Sequence, residues 1–205
     1  MGDADNLCTP LWEAGLSGVA FFYLDSMHCM DCKGVASMIF GGCIASWIAR
    51  PALGPNKAAR LKEINQFLTS WYDANPGRCR LPKIEESSVF LNHWADLHGP
   101  NIKAASTRQA APIFHAMALH WAVAGSEEDA LLVEVTGRLA AFYTVLADSP
   151  MFMSIEQKAE LADCCQGMAL AIQRLRQMGQ GRGLLHWPVR PKTHKMCHFA
   201  FLVLH

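Results

Sequence analysis

Asp25-Ser26-Met27-His28 sets a carboxylate and an imidazole three residues apart, directly after the apolar, aromatic run Val19-Ala20-Phe21-Phe22-Tyr23-Leu24. A run of that length and composition fits a buried strand. A carboxylate at a strand end can hold a divalent cation such as Mg²⁺, and a neighbouring imidazole can orient it or share the ion. The same pair also suits a plainer arrangement, in which Asp25 caps the helix that follows and His28 packs beside it.

His28-Cys29-Met30-Asp31-Cys32 adds a second chemistry, two thiols at C-x-x-C spacing. Cys29 and Cys32 can share one Zn²⁺, but a closed tetrahedral site needs two more ligands. His194 and His198, four residues apart and so on one face of a helix, can supply them, with Cys197 as a further donor. The competing reading treats the cysteines as small buried hydrophobes. A thioredoxin-like redox role lacks the βαβ pattern that would frame it. Cys164-Cys165 reads as helix interior, where adjacent side chains diverge.

The third cluster is basic. Arg182, Arg190, Lys192 and Lys195, interleaved with His186, Trp187 and His194, can grip a phosphate backbone while Trp187 stacks on a base. Alternatively, Pro188 and Pro191 stiffen a solvated loop, and Trp187 joins Leu184 and Leu185 in the core.

The elements that must position these residues read as mostly α. Residues 35–49 form an apolar stretch shorter than the roughly 20 residues needed to span a bilayer, which predicts a buried helix and no membrane association. Arg50-Pro51 and Gly54-Pro55 end it. Asn56 caps a helix with Leu61, Ile64, Leu68, Trp71 and Tyr72 on one face, closed by Asn75-Pro76-Gly77. A short helix is expected over 89–97 and a longer one over 101–123, kinked at Pro112. Ser126, followed by Glu127, Glu128 and Asp129, opens a helix whose buried stripe is Leu131, Val135, Leu139, Phe142 and Leu146. Ser154 and Gln157 form a capping-box pattern before Ile155, Ala162, Cys165, Ala169, Ile172 and Leu175. The chain thus divides into an N-terminal strand region (1–33), a multi-helix body (34–181) and a basic, aromatic C-terminal segment (182–205).

With 51% hydrophobic and 18% charged residues, the chain is built to fold around a core. Eighteen basic residues balance eighteen acidic ones, so nucleic-acid binding would rest on a local patch and not on net charge. The acidic start Met1-Gly2-Asp3-Ala4-Asp5 is unlike a signal peptide, and the eight cysteines are expected as reduced thiols inside the cell. The apolar run Phe199-Ala200-Phe201-Leu202-Val203-Leu204 at the C-terminus reads as a chain cut short.

Two segments together resemble a known family. Leu11-Trp12-Glu13, Gly18 to Tyr23 and the D-x-M-H of Asp25 to His28 are similar to a region of large CACTA-like cut-and-paste transposases and of a numerous, uncharacterised dinoflagellate family related to them. Pro191-Lys192-Thr193-His194-Lys195-Met196-Cys197-His198 looks like that family's P-K-x-H-x-x-x-H signature. The resemblance implies a ribonuclease-H-like core carrying a helical insertion, in which three acidic residues bind divalent metal. Asp25 matches the second acid and His28 its accompanying histidine. The first acid has no strand-borne counterpart among the 24 residues before Asp25, and the third would follow the P-K-x-H segment. Cys29 and Cys32 lie outside the family pattern. The expectation is therefore a transposase-derived fragment with vestigial Asp25 and His28 and no catalysis of its own, nuclear in location and able to contact DNA. The alternatives are a cytoplasmic helical protein that binds nucleic acid or a protein partner, and a small zinc-binding protein. If the two motifs share a site, Asp25 should lie close to the P-K-x-H segment.

Overall fold

From Val35 to Ile48 the sequence carries no charged side chain, and an α-helix apolar on every face must be enclosed on every face. In the computed structural model, which describes residues 29–31, 33–91, 94–149, 153–182, 186–189 and 191–204, all fourteen residues of this helix, α1 (Val35–Ile48), are buried. The chain is mostly helical. After α1 come α2 (Lys57–Ala74), an antiparallel strand pair β1 (Phe90–Leu91) and β2 (Trp94–Ala95), then α3 (Ala104–Trp121), α4 (Glu127–Asp148), α5 (Ile155–Gly181) and α6 (Pro191–Leu204). Helices α3 to α6 pack each against the next, and α1 lies against α2, α3, α4, α6 and β2. Phe40 stacks on Phe114 with ring centroids 4.0 Å apart, and Trp47 meets Trp121 edge-on at 5.0 Å.

The caps form where the side chains predict them. The Asn56 side chain accepts from the Ala59 N–H at 2.9 Å, and Ser126 accepts from the Asp129 N–H at 3.3 Å. Ser154 and Gln157 make both bonds of a capping box. Leu61, Ile64, Leu68 and Tyr72 are the buried residues of α2. In α4 the stripe centres on Leu132, Val135, Leu139, Phe142 and Tyr143, with Leu131 and Leu146 at its half-buried margins. Ile155 is exposed at the start of α5. Helix α3 runs continuously through Pro112.

Two expectations are corrected. Residues 89–91 and 94–97 do not form the expected helix, because their backbone groups are satisfied crosswise. The Asp96 N–H donates to Val89 O at 2.7 Å, His98 N–H to Ser88 O at 2.8 Å, and Leu97 N–H to Ser37 O at 2.9 Å, which ties the strand pair to α1. Gly41 permits that approach, since a Cβ there would lie 2.4 Å from the Asp96 nitrogen. The stiffened loop expected around Pro191 is instead the start of α6. Proline suits a first helical position because its missing N–H has no intrahelical partner there. The strand read at residues 19–24, and Asp25 and His28 with it, lie outside the described residues.

Candidate functional site

Residues just before α1 contact the start of α6. The Cys29 thiol donates to the Lys192 carbonyl at 3.5 Å, and the Lys192 ammonium donates to the Lys33 carbonyl at 2.7 Å. Lys33 has φ 56°, in the left-handed region that a side chain disfavours. The turn is closed by Gly34 N–H to Asp31 O at 2.9 Å and by Ser37, whose hydroxyl donates to the same carbonyl at 3.0 Å and accepts from the Lys33 N–H at 3.0 Å. From the inner side of α6, Thr193 reaches Met38 of α1, with its hydroxyl 3.9 Å from the sulfur, and Met196 is buried.

Asp31 is the polar centre of this region. Its side chain is only 1% exposed, and a buried carboxylate needs partners for its lone pairs. The Tyr143 hydroxyl of α4 donates to Oδ1 at 2.6 Å, and Arg108 of α3 donates to Oδ2 at 2.7 Å. The Arg108 guanidinium also lies 5.8 Å from the centre of the Tyr143 ring, in cation–π range. Burial, reinforced by the Asp31 charge and hydrogen bond, pushes the Tyr143 hydroxyl well above its usual range, so it stays a proton donor. The hydrogen bond to Asp31 raises Arg108 further. Arg108 and Tyr143 form one wall of an open cleft of about 590 Å³, completed by Arg78, Pro112, Thr144 and Asp148 among others. With its side chain 48% exposed, Arg108 offers the cleft a guanidinium oriented by a carboxylate behind it. A guanidinium held this way can donate hydrogen bonds to a polar group placed in the cleft.

Arg108 and Tyr143 were not singled out from the sequence. The available signal was weak. Asp31 is an acid bordering a wholly apolar helix, so if buried it needs a cation, and Arg108 is the one arginine between residues 101 and 123.

The residues assigned to nucleic acid are spread over different tasks. Arg182 pairs with Glu128 at 2.8 Å, and Lys192 is engaged with the Lys33 carbonyl. Of the two readings of Trp187, base stacking and core packing, the structure has the core one. It is 3% exposed, and its indole covers Gly42, where a Cβ would come within 2.8 Å of the ring. A ring so placed cannot stack on a base without leaving the core. Lys195 is on the exposed side of α6, and Arg190 lies outside the described residues.

His194 and His198 are both exposed on α6, with Nε2 atoms 2.9 Å apart. Cys29 is buried beneath that helix, and Cys32 lies outside the described residues. Among the described residues no three His, Cys, Asp or Glu side chains gather as a closed metal site requires. Burial raises the thiols of Cys43 and Cys165 strongly and pushes Cys164 up to about 11, which suits packing and not thiolate chemistry.

No family model, curated protein or solved structure matches this chain.

Proposed function

We propose that the chain is a transposase-derived helical module that has no strand-transfer activity of its own and keeps the D-x-M-H and P-K-x-H segments together as one face. The observation that carries this reading is the pair of contacts between segment 29–34 and α6, Cys29 to the Lys192 carbonyl and Lys192 to the Lys33 carbonyl. They join residues about 160 positions apart in sequence, immediately beside both motifs. The helices α1 to α5 then form the excursion that the resemblance implies between them. Phosphoryl transfer by a two-metal site clamps its ions between several carboxylates, and Asp25 alone does not provide that clamp.

The test has two arms. Incubated with supercoiled plasmid and Mg²⁺ or Mn²⁺, the purified chain is expected to leave the plasmid intact. Nicking that disappears in Asp25→Asn would overturn the non-catalytic assignment. Genomic sequence flanking the coding region should carry codons for the two remaining acids or terminal inverted repeats. Neither being present on either side would remove the transposase origin.

A further inference from the structure

The two histidines of α6 bring two imidazole nitrogens to within reach of one ion. They lie at i and i+4 on the exposed side of the helix, one turn apart, while Thr193 and Met196 occupy its inner side. Their Nε2 atoms are 2.9 Å apart, their ring centroids 4.4 Å apart and their planes at 87°. Without a metal, one ring donates its N–H to the other nitrogen, so the two imidazoles already approach one another as ligands of a shared ion would. With a metal–nitrogen distance of about 2.05 Å, two nitrogens 2.9 Å apart subtend about 90° at the ion, whereas tetrahedral coordination needs them about 3.3 Å apart.

We propose that His194 and His198 chelate a single divalent transition-metal ion that prefers right-angle coordination, Ni²⁺ or Cu²⁺, on the outer surface of α6. Imidazole nitrogen is a ligand suited to both ions, and square-planar, tetragonal and octahedral geometries all accept two donors at a right angle. The four-ligand zinc arrangement of Cys29, Cys32, His194 and His198 is not this site. The Cys29 thiol is buried and donates to the Lys192 carbonyl, whereas His194 and His198 are exposed. The remaining coordination positions face solvent, so water or a donor from a second molecule completes the shell. The proposal does not depend on the transposase reading, because it rests on the helix geometry alone.

The test is a calorimetric titration of the full purified chain with NiCl₂, repeated with ZnCl₂. One high-affinity Ni²⁺ per chain is expected, with Zn²⁺ bound more weakly. A chelate owes its strength to the effective concentration of the second ligand, so His194→Ala and His198→Ala should each lower Ni²⁺ affinity on the order of 10²-fold. The double variant should be little worse than either single one. Both residues are exposed, so the variants should keep the parent circular dichroism spectrum. As a second measurement, untagged protein should be retained on a Ni²⁺-chelate resin that leaves two adjacent positions open, and each variant should pass through. Unchanged Ni²⁺ affinity in both variants would reduce the 2.9 Å contact to an ordinary hydrogen bond and overturn the proposal. So would Zn²⁺ binding more tightly than Ni²⁺, or Ni²⁺ binding abolished by Cys29→Ser or Cys32→Ser.

Discussion

Asp129 and Asp31 are both buried carboxylates, each paired with one arginine, yet their surroundings differ. Asp129, at the start of α4, pairs with Arg50, accepts the Val123 N–H at 2.9 Å, and sits under the Ser126 cap. Arg50 is 21% exposed at its side chain and also donates to the Trp121 carbonyl at 3.2 Å, so both partners are enclosed and the α3–α4 connection is pinned. Asp31 is equally enclosed, but Arg108 is 48% exposed and lines a cleft, and the second partner is a tyrosine. The first pair closes a joint. The second keeps its cation at the surface, which is where a binding function could use it.

The comparison predicts unequal costs. Asp129→Ala should be the most damaging, because it leaves an enclosed guanidinium without its counter-charge and orphans the Val123 N–H. A loss of about 3–5 kcal/mol is expected, read from urea denaturation. Asp31→Ala should cost less, about 1–3 kcal/mol, since Arg108 can turn to water and the main loss is the orphaned Tyr143 hydroxyl. Adding Tyr143→Phe should recover part of that loss, because the hydroxyl left without an acceptor is then gone. If Asp31→Ala proves as costly as Asp129→Ala, the distinction between an open and a closed pair fails.

The smallest effect is a pH dependence at the closed end. His186 lies near Arg182 and Glu128, and burial first, then the Arg182 charge, hold its imidazole below the ordinary 6.5, with Glu128 opposing. The unfolded chain therefore takes up this proton at a higher pH than the folded one. Stability should be intact above 6.5, decline as the pH falls below it, and level off once the folded imidazole is also protonated. The difference in urea midpoint between parent and His186→Gln should follow that curve, and a flat difference would remove His186 from the account.

What the sequence made legible is what local chemistry decides. Asn56, Ser126 and Ser154 announce their helices because a cap is settled within a few residues, and the uncharged span of α1 can only be core. The pairing of β1 with β2 is not legible in the sequence, because its hydrogen bonds run between the strands and the neighbouring Leu97 N–H goes to Ser37, and periodicity does not report these. Trp187 was open between base stacking and core until Gly42 supplied the surface it covers. The Asp31–Arg108–Tyr143 cluster spans 112 residues, so its parts look unrelated in the sequence. His194 and His198 were paired with Cys29 because spacing alone does not tell which side of a helix a distant thiol approaches.

The enclosure of α1 also orders events in time. This helix leaves the ribosome before nearly everything that covers it, and its last covers, Trp187 and Met196, are made about 150 residues later. Until then the fourteen uncharged residues of α1 have no complete shelter. Completing the enclosure of α1 therefore depends on contacts distant in sequence, which leaves apolar surface open in the interval. A nascent chain stalled before α6 would present α1 as its most adhesive segment.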